Sequence, residues 1–240
     1  MLRRNGVPMD HQPRPTVLEV IAQRRTVRRF DPGRPLADDL LRQILHAATR
    51  APSDGNLQPW RFLVVRTESN RRRLRGCAFQ HPRVTEAPVI VIALGYHHPH
   101  RSHLDAMLER QLALGAITRA EHAEMRARTA RAMERRNDLP LWATRATMLA
   151  MATLMLAAES LGVGSSLLEL FDGGKLREAF GIPDDHTVSG LIALGYPARD
   201  VPFPGRFGLG EVCFEEHFGQ PWTIDETGPA RPLDQARRAE

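Results

Sequence analysis

The chain has 240 residues, of which 42% are hydrophobic and 25% charged, so it is long enough for one domain with a sizeable core. Its 33 basic residues exceed its 28 acidic residues, and every basic residue except Lys175 is an arginine. This modest excess allows a patch for nucleic acid or for phosphate-bearing small molecules and does not choose between them. Two cysteines, Cys77 and Cys213, are too few for a disulfide framework.

No stretch of the sequence has the length expected of a membrane span. The most apolar run, residues 146–158, is 13 residues long, whereas roughly 20 residues are needed to cross a bilayer. Residues 1–15 are polar and punctuated by proline, unlike a secretory signal, and are predicted to be a flexible tail. Cys213 and His217 have a metal-like spacing without a second pair of ligands, so no metal site is predicted. We therefore expect a cytoplasmic protein that does not enter a membrane.

The first part of the chain predicts two helices followed by a strand. Thr16 and Glu19 have the spacing of a capping box and begin a short helix, which ends at the basic cluster of residues 24–29. Apolar residues at helical spacing over residues 36–48 predict a second helix with one buried face. The apolar, β-branched run of residues 60–65 then predicts a buried strand.

The loop between that second helix and that strand is unusually polar. It carries Ser53, Asp54, Asn56 and Gln58 between two elements that are bound to the core. A loop in this position can hold a polar ligand, or it can be a plain connector on the surface.

The rest of the chain alternates apolar runs with polar segments. Residues 88–94 predict the clearest central strand, and residues 188–194 predict another. Residues 141–161 are apolar on nearly every side, which predicts a helix buried at the centre of the molecule or in a subunit interface. Residues 101–136 mix eight arginines with five acids and predict exposed helices, as an excursion or a lid. Strands and helices interleaved in one domain predict an α+β fold.

Four histidines follow the predicted central strand, at His97, His98, His100 and His103. No cysteine or carboxylate stands near them at ligand spacing, so we predict a polar loop there instead of a metal site.

The sequence lacks the motifs of enzymes that carry their own reactive group. It has no G-x-S-x-G, no Walker loop with its lysine and no H-E-x-x-H. A chain without such groups can use the chemistry of a cofactor. The arginines of residues 24–29 could hold a phosphate by charge-assisted, forked hydrogen bonds. They could also complete the C-terminus of a helix, where positive charge is favoured.

Four motifs in this order resemble the flavin-dependent nitroreductase family. They are R-R-T-V-R at residues 24–28, A-P-S-D-G-N-L-Q-P-W at residues 51–60, A-A-E-S-L-G-V-G at residues 157–164 and A-L-G-Y-P at residues 193–197. The resemblance covers residues 16–215 and leaves residues 216–240 as a C-terminal tail. It implies a three-layer α+β sandwich, with a mixed central sheet flanked by helices, that forms a homodimer and binds FMN at the subunit interface.

The resemblance also implies roles for single residues. The residues implied at the phosphate and the flavin edge are Arg24, Arg25, Thr26 and Arg28, with Arg206 also at the phosphate. The loop implied to reach the flavin of the other subunit contains Pro52, Ser53, Asp54 and Asn56. The segment whose backbone amides are implied to lie near flavin N5 contains Leu167, Leu168 and Glu169. A cation such as Arg28 would favour the anionic reduced flavin. The family often has a second cation just before Arg206, where this chain has Pro204 and Gly205. Asn56 could instead close an Asx turn, and Glu169 could be a surface carboxylate.

The activity implied by the resemblance is that of an FMN-dependent oxidoreductase. It would pass hydride from NADH or NADPH through flavin N5 to a small, electron-poor acceptor, such as a nitroaromatic compound or a quinone, in a ping-pong scheme. The flavin would carry the chemistry, so no catalytic side chain is predicted. One alternative is a flavin-consuming or dehalogenating member of the family, closed by a lid at residues 101–136. Another is a non-catalytic basic protein that binds nucleic acid, although the arginines are interleaved with acids and form no single stripe.

Overall fold

The computed structural model describes residues 15–223, so most of the two predicted tails, residues 1–15 and 216–240, lies outside the described part. In chain order the helices are α1 Val17–Gln23, α2 Asp38–Ala48, α3 Glu68–Cys77, α4 Arg83–Glu86, α5 Pro99–Ser102, α6 Leu104–Ala113, α7 Arg119–Glu134, α8 Leu139–Ser160, α9 Gly173–Phe180 and α10 Leu209–Val212. The strands are β1 Trp60–Val65, β2 Val89–Tyr96, β3 Gly164–Leu168 and β4 His186–Gly195, and a 3-10 turn spans Asp54–Asn56. The chain divides into two compact units, Thr26–Asp200 on the one hand and Met1–Arg25 with Val201–Glu240 on the other.

The larger unit, Thr26–Asp200, is built around a sheet with the strand order β1–β2–β4–β3. Each neighbouring pair of these strands is antiparallel. A single parallel bridge, between Thr26 and Ser165, gives the sheet its mixed character. The strands predicted at residues 60–65, 88–94 and 188–194 are confirmed. The first has the predicted ends, and each end of the other two differs from the prediction by one or two residues.

The strand β3 was not predicted from its residues. Ser165 and Ser166 make this stretch polar, yet both residues are completely buried. Their place in the sheet comes from pairing with β4, in which Ser165 faces Leu194 and Ser166 faces Ala193. A short, polar strand of this kind has no period that distinguishes it from a loop.

Helices cover both faces of the sheet. On one face α2 and α8 contribute Ile44 and Leu154, which pack with Ile192 of β4 in one apolar cluster. On the other face α3 and α9 contribute Leu74 and Leu176 to a second cluster. Alternate residues of β2 and β4 point into the two clusters, which is why residues 89–94 of β2 and 191–194 of β4 are all apolar. The predicted three-layer α+β arrangement is confirmed.

The helix α8 is the long apolar helix that the sequence predicts. Eight of its 22 residues are buried, among them Trp142, Met151 and Leu154. Its opposite side exposes apolar surface, since Leu141 is 50% and Leu149 is 49% exposed. By length and hydropathy alone α8 could cross a membrane, but burial of one side in the core accounts for this hydropathy in the fold.

The smaller unit begins with α1, and the predicted capping box at its start is confirmed. The Thr16 hydroxyl accepts a hydrogen bond from the Glu19 amide at 3.3 Å. The Glu19 carboxylate accepts one from the Thr16 amide at 2.6 Å, so two backbone donors at the helix start are satisfied. Near the end of the described residues, Phe214 forms a bridge with Pro221.

The contact between β2 and α8 leaves no room for a side chain at Gly95, and this leads to a testable prediction. A Cβ atom there would lie 2.9 Å from the backbone carbonyl carbon of Ala143. We expect Gly95→Ala to lower the free energy of unfolding by about 1–3 kcal/mol, because strand and helix must move apart. Urea unfolding measures this, with Gly76→Ala as the matched control, since a Cβ at Gly76 meets nothing within 4 Å. Equal unfolding midpoints for the two variants would contradict the tight contact.

Candidate functional site

The segment Thr26–Arg28 is fixed to the start of β3. The amide of Val27 donates a hydrogen bond to the Ser165 carbonyl at 3.0 Å, and Val27 is 3% exposed. A Cβ at Gly164 would lie 2.6 Å from a methyl group of Val27, so glycine is needed for this approach. Because side chains alternate along extended backbone, Thr26 and Arg28 are exposed while Val27 is buried. The structure therefore brings two of the predicted flavin residues onto the edge of the sheet.

A second cation, Arg83, lies close enough to Arg28 to feel its charge, and no sequence motif singled it out. Arg83, the first residue of α4, donates from Nη1 to the Ser166 hydroxyl at 2.9 Å. Burial lowers the pKa of Arg83, and the positive charge of Arg28 lowers it further. The Nε atom of Arg83 is buried and has no hydrogen-bond partner within residues 15–223. Two neighbouring cations, one with an unused buried donor, favour an anionic group at this edge.

The nearest acidic group is already engaged elsewhere. Glu86 forms an ion pair with the Nε atom of Arg29 at 2.8 Å and accepts a hydrogen bond from the Phe30 amide at 3.2 Å. In the described part of the chain Arg28 makes no ion pair with a carboxylate. No carboxylate among residues 15–223 therefore neutralises the positive charge of Arg28.

The predicted residues on β3 differ in what they can offer a ligand. Leu168 is 5% exposed and packs in the core, whereas Leu167 is partly buried and Glu169 lies exposed just beyond the strand. The strand is at the edge of the sheet, and beyond Ser165 its outer side pairs with no strand of the described chain. An edge of this kind presents unpaired backbone groups. The leucines can thus contribute backbone amides, and Glu169 can also contribute its side chain.

The polar loop before β1 is held in a strained form by its own side chains. The Ser53 hydroxyl accepts a hydrogen bond from the Gln58 amide at 2.9 Å, and the Asn56 side-chain oxygen accepts one from the Gln58 side chain at 3.1 Å. Asn56 and Gln58 have φ angles of 55° and 45°, in a region that residues with a side chain rarely adopt. Asn56 thus bonds another side chain and does not close an Asx turn. Backbone strain of this kind is common at ligand-binding sites.

Within the described chain the loop makes its hydrogen bonds without the segment Thr26–Arg28. Across residues 15–223 no hydrogen bond joins Ser53–Gln58 to Thr26–Arg28 or to β3. Pro52, Asp54 and Asn56 are exposed, and Ser53 is partly buried. Within the described residues the two groups of predicted flavin residues are therefore not joined by hydrogen bonds.

The excursion at residues 101–136 lies beside this loop. The methyl group of Thr129 in α7 is 3.7 Å from the position that a Cβ of Gly55 would take. His103, just before α6, has its Nε2 atom 3.2 Å from the Leu57 carbonyl oxygen. Burial lowers the pKa of His103, so the ring is neutral near pH 7 and donates this hydrogen bond.

In the smaller unit two predicted arginines meet at one aromatic ring. The guanidinium of Arg25 lies 4.6 Å from the centre of the Phe203 ring, and that of Arg206 lies 5.5 Å from it. Gly205 has a φ angle of 84°, a turn that glycine allows and that precedes Arg206 directly. The sequence did not single out Phe203, because the segment around it has no periodicity.

Arg25 also completes the end of α1, as the alternative interpretation expects. Its Nη1 atom donates to the carbonyl oxygens of Ala22 at 2.6 Å and Arg24 at 3.0 Å. Arg24 is the residue that follows the helix and is partly buried. Capping and ring contact together hold the Arg25 guanidinium in one place.

The prediction of a polar loop after β2 is wrong for His100, which is 7% exposed and belongs to α5. Its Nε2 atom lies 3.2 Å from Glu134 at the end of α7. Arg101 binds the same carboxylate through two hydrogen bonds of 2.9 and 2.8 Å, and this pairing lowers the pKa of Glu134 to about 2. In the described ranges no three His, Cys, Asp or Glu side chains come together as possible metal ligands. His100 instead connects α5 to α7, and the ring of His103 lies 5.9 Å from that of Tyr96 in a tilted arrangement.

Comparison with known proteins agrees with this geometry. Residues 21–196 match the Nitroreductase family. The chain belongs to this family. It is 36% identical over 178 residues to a Thermus thermophilus protein named NADH dehydrogenase, a match that covers 74% of this chain and 85% of that protein.

Two further relatives of this nitroreductase-family chain cover most of its length. It is 29% identical over 206 residues to the protein DrgA of Synechocystis, which covers 81% of this chain and 93% of that one. A protein from Exiguobacterium sibiricum, solved in complex with FMN, has the same fold, with a TM-score of 0.79 at 22% identity. That match covers 85% of this chain and 99% of the other.

The buried histidines predict how stability depends on pH. Burial lowers the pKa values of His97, His100 and His103 below the ordinary value of about 6.5. As the pH falls below about 6.5, the unfolded chain therefore binds more protons than the folded chain. The free energy of unfolding is thus highest, with respect to these histidines, above that pH, and it decreases as the pH falls toward their pKa values in the folded chain. Each histidine can contribute a slope of at most about 1.4 kcal/mol per pH unit.

Urea unfolding between pH 7.5 and 5.5 measures this slope, because Glu134, with a pKa of about 2, stays ionised throughout that range. The variant His100→Gln should show a shallower dependence on pH than the wild type. A free energy of unfolding that does not fall between these pH values would show that the histidines are not buried as described.

Proposed function

We propose that this nitroreductase-family chain is an FMN-dependent oxidoreductase that uses NADH or NADPH to reduce a small, electron-poor acceptor in a ping-pong scheme. The observation that carries the proposal is the segment Thr26–Arg28, which is fixed on the edge of β3 with the unneutralised charge of Arg28 beside Arg83. The name of the Thermus thermophilus relative supports a nicotinamide as the reductant. The FMN complex of the Exiguobacterium sibiricum protein supports the choice of flavin.

The donor set of this chain fits FMN. FMN has a phosphate at one end and a flavin ring whose carbonyl edge gains negative charge on reduction, so it needs cations in two places. Arg25 and Arg206 meet at Phe203 in one unit, and Arg28 and Arg83 stand together in the other. Arg83 also has a buried Nε atom without a partner in the described part of the chain. Each unit, taken by itself, therefore offers cations of the kind that one end of FMN would need.

We assign the phosphate to Arg24, Arg25 and Arg206, whose guanidinium groups suit forked hydrogen bonds to phosphate oxygens. Contact with Phe203 holds two of these groups in place before a ligand arrives, which reduces the entropy lost on binding. Pro204 and Gly205 stand where the family often has a further cation. The turn at Gly205 is followed directly by Arg206, whose guanidinium lies near the Phe203 ring.

We assign the flavin edge to Thr26 and Arg28 and the ring face to β3. The bound flavin would supply hydride transfer from the nicotinamide to the acceptor. The positive charge of Arg28 stabilises a negative charge near it by direct attraction. Backbone amides at the outer edge of β3, near Leu167 and Leu168, and the exposed Glu169 would orient the ring.

We further propose that the functional unit is a homodimer in which the loop Ser53–Asn56 reaches the flavin of the partner subunit. In the described residues no hydrogen bond joins the loop to Thr26–Arg28, and Pro52, Asp54 and Asn56 of the loop are exposed. The exposed apolar side of α8, at Leu141 and Leu149, is suited to a contact between subunits. Residues 101–136 lie next to the loop and would act as a lid over the shared site.

The visible spectrum of the purified protein tests the cofactor. Supplied with FMN and then desalted, the protein should keep its flavin absorbance, and anaerobic NADH or NADPH should bleach it until an acceptor such as menadione is added. The variants Arg28→Gln and Arg206→Gln should each weaken FMN binding roughly tenfold, because each removes a charge-assisted contact.

The matched control is Arg72→Gln, an exposed arginine of α3 that lies outside both the predicted flavin residues and the proposed lid. Its affinity for FMN should equal that of the wild type. A protein that stays colourless after treatment with FMN would contradict the proposed function.

A further inference from the structure

A positively charged cleft lies between the segment that carries β1 and the helix α6. Its volume is about 690 Å³, within the range of sites for small organic molecules. Its charged lining residues are Arg50, Arg61 and Arg110, and no carboxylate is among the described residues that line it. Of the predicted flavin residues only Asn56 lines this cleft, and the other lining residues have no assigned role in binding the flavin.

The two acids of α6 face away from the cleft. Asp105 pairs with Arg126 of α7 at 2.6 Å, and Glu109 pairs with Arg119 of α7 at 3.8 Å. These acids are four residues apart and share one side of the helix. Arg110 lies on the side of α6 that faces the cleft and has no ion pair with any acid among residues 15–223. The acids of α6 are therefore used to hold α7, which leaves the cleft side of the helix positive.

Arg61 is held in the cleft by groups that do not neutralise it. Its Nη1 atom donates to the carbonyl oxygens of Trp60 at 2.7 Å and Gln58 at 3.3 Å. The guanidinium also lies 5.4 Å from the centre of the Tyr96 ring. Partial withdrawal from water lowers the pKa of Arg61. A bound anion would offset this loss of hydration, and the carbonyl contacts keep the group in position for it.

Besides these cations the cleft offers apolar surface. Trp60 is 5% exposed and Met107 is 8% exposed, and both line the cleft together with Phe62 and the exposed Leu114. Amide groups of Gln58 and Gln111 add polar contacts. A site with cations on one side and aromatic and thioether groups on the other matches a ligand with a charged head and an apolar body.

We propose that this cleft is a binding site for an organic anion with one carboxylate group and a flat, apolar body. Arg61 and Arg110 bind the carboxylate, and the apolar body lies against Trp60 and Met107. The hydrogen bond from His103 to the Leu57 carbonyl oxygen ties the start of α6 to the loop before β1, so the two walls of the cleft keep their spacing.

Equilibrium binding of 2-naphthoate and of its neutral analogue 2-naphthamide, measured by calorimetry on the protein with FMN supplied, tests the proposal. The wild type should bind 2-naphthoate about tenfold more tightly than 2-naphthamide. Arg61→Gln and Arg110→Gln should each weaken binding of 2-naphthoate about tenfold and reduce the preference over the amide. Arg61→Lys and Arg110→Lys should keep part of the preference, because they retain the charge and lose the fork.

Arg72→Gln serves as the control of equal charge change, because this exposed arginine of α3 does not line the cleft, and it should keep the wild-type affinity for both probes. Unfolding midpoints of all variants distinguish loss of a contact from loss of the fold. Equal affinity for the two probes, failure to bind 2-naphthoate, or wild-type affinity in both glutamine variants would each overturn the proposal. None of these results depends on flavin reduction, so they leave the proposed oxidoreductase function untouched.

Discussion

Packing of α8 against the sheet is the interaction on which the rest of the structure depends. The helix contacts all four strands and α2, and its closest approach to β2 requires the absence of a side chain at Gly95. The chain leaves α8 through a turn at Gly162 and enters β3 directly. The strand to which Thr26–Arg28 is fixed is therefore positioned by the same helix that covers the core. A change in how α8 packs against the sheet would therefore displace the candidate flavin site, even if no residue of that site were mutated.

The candidate site shows how neutralised and unneutralised charges are distributed on an arginine-rich chain. Glu86, Glu134 and Asp105 each bind an arginine and connect neighbouring elements. Arg28, Arg61 and Arg110 form no such pair in the described residues, and each lies at an edge or a cleft. These three arginines thus keep their charge where an anion can approach. This distribution favours small anionic ligands over a continuous nucleic-acid stripe.

Much of the fold could be predicted from the sequence, because continuous apolar runs mark strands that are covered on both faces. Residues 88–94 and 188–194 are such strands. The longer apolar run of residues 141–161 in the same way predicted the buried helix α8. The same reasoning failed at Ser165 and Ser166, because these polar residues are buried through pairing with β4 and with Thr26. His100 was misassigned for a similar reason: its place in the core depends on Glu134, 34 residues later in the chain.

The candidate site was predictable mainly through the resemblance of four motifs to a known family. Composition alone left the arginines of residues 24–29 divided between a helix cap and a phosphate site, and Arg25 in fact makes the cap contacts. Arg83, Phe203 and the lining of the cleft carry no local signal, because each matters only through a neighbour that is distant in sequence. Such residues become visible when distances between side chains are known.

Recovery of FMN binding in a mixed dimer tests most directly the central claim, that each flavin site combines Thr26–Arg28 of one subunit with the loop Ser53–Asn56 of the other. One chain would carry Arg24→Gln with Arg28→Gln, and the other Ser53→Ala with Asn56→Gly, each with a different affinity tag. Both homodimers should lose FMN, whereas the doubly purified mixed dimer has one intact combination and should bind one FMN per dimer. A mixed dimer that binds no FMN would contradict the claim, because sites contained within single subunits would all remain defective.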